Sequence, residues 1–176
     1  MREITTVKLL RQFMEILGRR MHEPAQVYFT GGVTALLHGW RDTTVDVDLS
    51  VIPEMDSLLK QIPAIKEELK INVELAGPSD FIPELPGWKE RSIFIDRYGS
   101  VSFYHYDPYA QALAKIERGH TQDVQDVEKL FFSGLVQPEK LLELFEQIEA
   151  MLYRFPAIDA VSFRRAVLDA VSKNKT

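Results

Sequence analysis

A segment built around two adjacent glycines constrains the fold of this chain more than any other. Residues 26–30 are rich in β-forming side chains and stop at Gly31 and Gly32. Residues 33–39 then carry apolar side chains at helical spacing, and residues 44–52 alternate between apolar and polar side chains. The segment therefore predicts a strand, a tight glycine turn, a short helix and a second strand that is buried on one face.

The second strand carries two aspartates whose spacing indicates chemistry. Asp46 and Asp48 are separated by one residue, so on a strand both side chains leave the same face, with Cα atoms about 6.5–7 Å apart. Carboxylates this close repel each other, and a divalent cation such as Mg²⁺ relieves the repulsion while it binds phosphate oxygens. Gly31 and Gly32 allow close backbone approach to a phosphate at the start of the following helix. The alternative interpretation is a solvated outer face of an edge strand.

The rest of the chain alternates helical and strand patterns and then becomes wholly helical. The first predicted helix ends at residue 21, and five further helices are predicted over residues 53–69, 107–118, 121–132, 138–153 and 159–172. Three further strands are predicted over residues 71–75, 92–96 and 101–106. Thr5 or Thr6 is expected to cap the first helix. This order predicts an α+β protein with an α/β core over residues 1–106 and a helical region over residues 107–176, packed on or extending that core.

Composition excludes several classes of protein. The chain has no cysteine, which excludes disulfides and thiolate metal sites, and its net charge of −5 does not favour a general nucleic-acid binder. No run of about 18 apolar residues is present, so no membrane partner is expected. Residues 1–10 lack the pattern of a signal peptide, and we therefore expect a cytoplasmic location.

The glycine and aspartate motifs resemble those of the DNA polymerase beta-type nucleotidyltransferases. That signature is an apolar residue, Gly, Gly or Ser, about nine to thirteen residues, and then Asp-apolar-Asp/Glu-apolar. Here Thr30-Gly31-Gly32 is followed after thirteen residues by residues 46–49. Residues 41–44 resemble the Arg-x-Thr-x segment of small bacterial nucleotidyltransferase-like proteins, which include abortive-infection toxins and uncharacterised families. Residues 80–88 resemble one such uncharacterised family. The resemblance covers about residues 28–131 and implies a nucleotidyltransferase-like small mixed sheet, flanked by helices and followed by a helical C-terminal part.

The resemblance also implies a catalytic and metal-binding set. Asp46 and Asp48 would hold Mg²⁺ or Mn²⁺, and a third carboxylate on a neighbouring strand would complete the site. Glu74 is the candidate because it lies on the polar face of the strand predicted over residues 71–75. Asp80 and Asp96 are the alternatives for this third position, and the alternative for Glu74 is an exposed strand residue.

A second set of residues is expected to bind the triphosphate of a nucleotide. It combines the glycine turn, the residues before the Asp-x-Asp strand and two cations one turn apart on a helix: Gly31, Gly32, Arg41, Thr44, Lys115 and Arg118. Asp123 and Asp126 fall in the first turn of the next helix. We expect these aspartates to cap that helix or to pair with the two cations.

Two functions from different classes are compatible with the sequence. The first is a magnesium-dependent nucleotidyltransferase that moves a nucleoside monophosphate from a nucleoside triphosphate to a hydroxyl of a protein, an RNA or a small molecule, with a role in a toxin–antitoxin pair implied by the resemblance. The second is a catalytically inactive relative that binds a protein partner or forms a homodimer. An exposed apolar stripe on the C-terminal helices would favour the second function, whereas burial of the stripe would indicate ordinary core packing. The stripe consists of Leu141, Leu144, Phe145, Ile148 and Leu152.

Three histidines and two tryptophans remain. His38, His105 and His120 have no metal-ligand spacing, and each is expected to be a partly buried polar residue. Trp40 and Trp88 are expected to pack in the core or in loops.

Overall fold

The computed structural model describes residues 4–175, which contain a five-stranded mixed sheet flanked by helices. The strands lie in the order β3-β2-β1-β5-β4. The pairs β1–β2 and β4–β5 are antiparallel, whereas β1–β5 and β2–β3 are parallel. The strands are β1 (Ala25–Thr30), β2 (Asp46–Val51), β3 (Asn72–Leu75), β4 (Ile93–Tyr98) and β5 (Val101–His105). The predicted α+β fold is confirmed.

Nine α-helices and two short 3₁₀ segments account for most of the other described residues. The helices are α1 (Val7–Arg20), α2 (Gly32–Leu37), α3 (Asp56–Leu59), α4 (Ile62–Leu69), α5 (Trp88–Arg91), α6 (Pro108–Arg118), α7 (Thr121–Phe132), α8 (Pro138–Ile148) and α9 (Ala160–Asn174). The hydroxyl of Thr6 accepts a hydrogen bond from the backbone N–H of Leu9 over 3.3 Å, so Thr6 caps α1 as predicted. Among residues 4–175, no helix has the length and apolar character needed to cross a bilayer.

The chain divides into two compact units. The first contains the residues up to Gly77 together with Ser92–Tyr106, and it includes the whole sheet and α1–α4. The second contains Pro78–Arg91 and the residues from Asp107 onward, and it includes α5–α9. The chain therefore leaves the first unit after β3 and returns to it for β4 and β5.

The core of the first unit lies on one face of the sheet. Along β2, Val47, Leu49 and Val51 are buried while the alternate residues are half-buried, as the apolar–polar alternation predicts. The rings of Phe29 and Phe103 stack across β1 and β5 with their centroids 5.7 Å apart. The main contacts of α1 within the unit are with α4 and β4. The opposite face of β2 is consequently left for polar side chains.

Two predicted helices are interrupted in the structure. The helix predicted over residues 53–69 is instead two short helices, α3 and α4, because Pro63 has no backbone N–H and is suited to the first turn of a new helix. The helix predicted over residues 138–153 ends at Ile148 and continues as the 3₁₀ segment Glu149–Arg154. Val45 and Leu75, predicted on apolar strand faces, are 68% and 59% exposed, because one precedes β2 and the other ends an edge strand.

The second unit buries the apolar stripe of its helices. All five residues of the stripe are buried, and the ring of Phe145 packs edge-on against Phe163 of α9 with centroids 5.0 Å apart. Helix α8 contacts both α9 and α6. Of the two interpretations of this stripe, its burial indicates ordinary core packing within the unit and removes the support that an exposed stripe would have given to partner binding.

Candidate active site

The acidic residues of β2 and β3 lie side by side on one face of the sheet. Asp46 and Asp48 alternate with buried residues of β2, so their side chains share the polar face. In the parallel pairing of β2 with β3, Asp46 lies opposite Asn72 and Asp48 lies opposite Glu74. Paired residues of neighbouring strands project from the same face, so Glu74 shares the face of the two aspartates. We call Asp46, Asp48 and Glu74 the acidic face.

The glycine turn lies directly beside this acidic face. Thr30, the last residue of β1, pairs with Asp48. Gly31 has φ +63°, a conformation that L side chains rarely adopt, and a Cβ atom there would lie 3.2 Å from Oδ2 of Asp48. A Cβ atom at Gly32 would lie 2.9 Å from Cβ of Thr44, which is closer than carbon atoms tolerate. Both glycines are thus required by the geometry of the turn.

Thr44 and Arg41 line the approach to the same turn. The buried hydroxyl of Thr44 donates a hydrogen bond to the backbone oxygen of Asp46 over 3.0 Å. The backbone of Thr44 exchanges two hydrogen bonds with Thr5, of 2.8 and 2.9 Å, which anchors the start of β2 to the residues before α1. Nη1 of Arg41 lies 3.8 Å from the position of a Cβ atom at Gly32. A guanidinium therefore lies close to the glycine turn.

Lys115 and Arg118 form an ion-pair cluster in the second unit. Lys115 is buried, and its Nζ lies 2.7 Å from Oδ2 of Asp126 and 3.7 Å from Oδ1 of Asp123. Arg118 donates two hydrogen bonds to Asp123, of 2.7 and 2.5 Å. The predicted pairing of the aspartates with the two cations is confirmed. Both cations contact carboxylates here, and their role in nucleotide binding stays a prediction.

The pKa of Asp123 is lowered by these cations. Burial of its carboxyl acts in the opposite direction and is the largest single influence on the pKa. The hydrogen bonds and charge of Arg118, together with the charge of Lys115, outweigh burial. Asp123 also accepts a hydrogen bond from the backbone N–H of His120, over 3.2 Å, and thereby helps to cap α7. Asp123 is therefore held in its ionised form.

The two alternatives for the third carboxylate belong to other elements than β2 and β3. Asp96 pairs with the core residue Phe103, and its carboxylate is 3.9 Å from the guanidinium of Arg11 on α1. Its side chain therefore projects from the helix-covered face of the sheet, which is the face opposite to the acidic face. Asp80 belongs to the 3₁₀ segment Pro78–Asp80 of the second unit. Within the first unit, Glu74 is the predicted carboxylate that lies next to Asp48.

Two histidines that are distant in sequence form a stack in the first unit. The ring of His38 lies between Trp40 and His105, with centroid distances of 5.0 and 4.7 Å. Nδ1 of His105 and the hydroxyl of Thr34 share a hydrogen bond of 3.0 Å. Burial, assisted by the charge of His38, lowers the pKa of His105 from 6.5 to about 3, and burial also lowers the pKa of His38. Both rings are therefore neutral at pH 7.

His120 differs from this pair. The expected partial burial is confirmed for His38, whereas His105 is buried more deeply, at 5% exposed. The expectation is wrong for His120, whose side chain is 75% exposed where it precedes α7. The position explains the exposure, because a residue that begins a surface helix has few neighbours to cover it.

The donor chemistry of the acidic face fits a hard divalent cation. Within residues 4–175, no three His, Cys, Asp or Glu side chains converge as a preformed metal cluster. Mg²⁺ does not need one, because it binds through one or two carboxylates, retains waters and takes phosphate oxygens from its substrate. Asp46 and Asp48 are half-buried oxygen donors of this kind, and the exposed Glu74 lies on the next strand. The residues present therefore fit Mg²⁺ or Mn²⁺.

Comparison with known proteins identifies a family but no characterised relative. Residues 6–173 match the family described as nucleotidyltransferase of unknown function (DUF6036). No curated protein and no solved structure is significantly similar to the chain. The match covers both units, so the helical part belongs to the family as much as the sheet does.

Proposed function

The chain belongs to this nucleotidyltransferase family, and we propose that it transfers a nucleoside monophosphate from a nucleoside triphosphate to a hydroxyl group in a reaction that requires Mg²⁺ or Mn²⁺. The register of β2 and β3 carries the proposal, because Glu74 lies opposite Asp48 on the face that also holds Asp46. A solvated edge of a sheet does not need three carboxylates beside a turn that only glycine can form. A phosphoryl-transfer site does.

In the proposed reaction, the acceptor hydroxyl oxygen forms a bond to the α-phosphorus of the nucleotide. The bond from that phosphorus to the oxygen bridging to the β-phosphorus breaks, and pyrophosphate leaves with the electron pair. Asp46, Asp48 and Glu74 would hold the metal ion, and Glu74 would also take the proton of the attacking hydroxyl. When bound, Mg²⁺ supplies charge neutralisation for the phosphates and the leaving pyrophosphate.

The triphosphate is assigned to the glycine turn. Gly31 and Gly32 have no side chains, so phosphate oxygens can approach the backbone there, and Thr44 keeps the turn and β2 in a fixed relation. Arg41 supplies positive charge beside the turn. Lys115 and Arg118 would serve the nucleotide only by exchanging their carboxylate partners for phosphate. We assign a phosphate contact to Arg41 because its guanidinium lies beside the glycine turn.

For the acceptor, we propose a hydroxyl of a protein or of an RNA. This assignment follows the resemblance of residues 41–49 to the small bacterial toxin-like nucleotidyltransferases, and it includes a role in a toxin–antitoxin pair. A small-molecule hydroxyl is the further possibility within the same chemistry.

The test measures metal-dependent binding of α-³²P-labelled nucleoside triphosphates and transfer of label to protein or RNA. We expect the wild-type chain to bind nucleotide only with Mg²⁺ or Mn²⁺, and Asp46→Asn or Asp48→Asn to weaken that binding at least about tenfold. Asp56→Asn is the matched control, because this exposed aspartate of the same unit lies on α3 and not on the acidic face. Metal-independent binding, or equal binding by all three variants, would contradict the proposal.

Exposed apolar residues of the second unit support an alternative function in partner binding. Phe132 is 93% exposed and Val124 is 50% exposed, and their spacing of eight residues places them on one face of α7. This alternative, a catalytically inactive protein that forms a homodimer or binds another protein, predicts a dimer in size-exclusion chromatography with light scattering. Phe132→Glu would then give a monomer.

A further inference from the structure

Asn72 connects carboxylates of two neighbouring strands. Its side-chain Nδ2 donates hydrogen bonds to Oδ1 of Asp46 and to Oε1 of Glu74, the latter over 3.0 Å. Asn72 lies opposite Asp46 in the pairing of β2 with β3, and Glu74 follows it by two residues on the same face of β3. One amide group therefore bridges two members of the acidic face.

The amide offsets an electrostatic problem of the acidic face. Carboxylates on adjacent strands repel each other, and like charges across a strand pair destabilise it. Glu74 is also exposed, so its long side chain would otherwise sample several rotamers. An amide NH₂ has two donor hydrogens and no charge, so it can satisfy one oxygen of each carboxylate. A carboxylate at position 72 would add repulsion, and an apolar residue would donate nothing.

We propose that Asn72 is a positioning residue of the candidate active site. Its amide holds Asp46 and Glu74 together and directs them to the same divalent cation. This inference rests on the proposed function, because it assigns a role toward the metal that the acidic face would bind. Asn72 acts through the two carboxylates and not on the nucleotide itself.

The test compares two strand-forming substitutions that differ in one hydroxyl group. Asn72→Val removes the donor, whereas Asn72→Thr has nearly the same shape and keeps one donor that can reach Asp46 across the strand pair. Mn²⁺ alone is the probe, and free Mn²⁺ is measured by electron paramagnetic resonance. We expect Asn72→Val to raise the Mn²⁺ dissociation constant about tenfold and Asn72→Thr to raise it no more than about threefold.

Gln26→Val is the matched control, because it removes another amide from an exposed position of the sheet. The Gln26 side chain accepts a hydrogen bond from the Tyr28 hydroxyl, and this hydrogen bond involves none of the three carboxylates of the acidic face. We expect wild-type Mn²⁺ binding from this variant. If Asn72→Val does not fold, Asn72→Ser and Asn72→Ala give the same comparison of a hydroxyl with no donor.

Each outcome separates the inference from the function on which it rests. Wild-type Mn²⁺ binding that Asn72→Val leaves unchanged overturns the positioning role alone. An equal loss in Asn72→Val and Asn72→Thr also overturns it, since shape and not the donor would then matter. If the wild-type chain binds no Mn²⁺, the metal-dependent function and the positioning role are both overturned.

Discussion

Replacing Lys115 by methionine removes the cation from a buried cluster that contains two carboxylates. Methionine keeps most of the apolar stem of the lysine and lacks its charge and its hydrogen-bond donors. Asp126, which is 5% exposed and 2.7 Å from Nζ, would keep its charge without that partner. Breaking a buried pair in this way costs about 3–5 kcal/mol. We expect a loss of about 3 kcal/mol.

Urea unfolding of the second unit measures this loss. Trp88 is buried in α5 of that unit, so its fluorescence in a Trp40→Phe background reports the unit directly. The double variant Lys115→Met/Asp126→Leu should recover to within about 1 kcal/mol of wild type, because both members of the buried pair are then gone and Asp123 keeps its ion pair with Arg118. Lys140→Met is the control. Lys140 lies 3.0 Å from Glu143 in an exposed pair, and its loss should cost less than about 0.5 kcal/mol.

Two results would refute this reasoning about Lys115. One is a loss below about 1 kcal/mol, comparable to that of the exposed Lys140 control. The other is unchanged stability together with weaker nucleotide binding, which would indicate that Lys115 binds the nucleotide and does not stabilise the ion-pair cluster.

Two further predictions concern the first unit. Gly32→Ala should destabilise the protein by about 2 kcal/mol, because the added Cβ atom would clash with Thr44. The loss should exceed that of Gly39→Ala, because Gly39 has φ +74° but no atom lies within 4 Å of a Cβ atom added there. Equal losses in urea unfolding would contradict the steric explanation. Burial lowers the pKa of His105 from 6.5 to about 3, so below pH 6.5 the unfolded chain binds a proton that the folded chain does not. Stability should therefore fall by up to about 1.4 kcal/mol per pH unit between pH 6.5 and 3. In His105→Gln, which keeps a polar partner for Thr34, unfolding free energies measured at pH 7, 5 and 4 should show a smaller slope, and parallel curves would refute the assignment.

Local patterns in the sequence were sufficient to predict much of the fold. The alternation along β2 gives the faces of Asp46 and Asp48, and the turn between α6 and α7 is short enough to predict that Lys115 and Asp126 pair. The helix break at Pro63 also has a local cause, although apolar spacing through residues 53–69 conceals it.

Features that depend on strand register or on distant contacts could not be predicted. Asn72 contributes to the acidic face only because β3 pairs with β2 in one register, and a shift by one residue would direct its side chain to the core. His38 and His105 meet only because β5 lies beside β1, to which α2 is joined. Whether the apolar stripe of α8 is buried or exposed depends on which helices cover it, and its apolar spacing is the same in both cases.

The position of β1 in the sheet has a consequence for the chain during synthesis. β1 pairs with β5 as its parallel neighbour. β5 follows β1 by ~70 residues, and between them the chain contributes residues 78–91 to the second unit. At 5–20 residues per second, the ribosome takes roughly 4–14 s to supply that neighbour. Throughout that interval the nascent chain presents an unpaired strand edge, with apolar residues such as Val27 and Phe29 that are buried in the complete fold. A fragment that stops at Gly77 keeps the same open edge permanently, so we expect such fragments to aggregate when the intact chain does not.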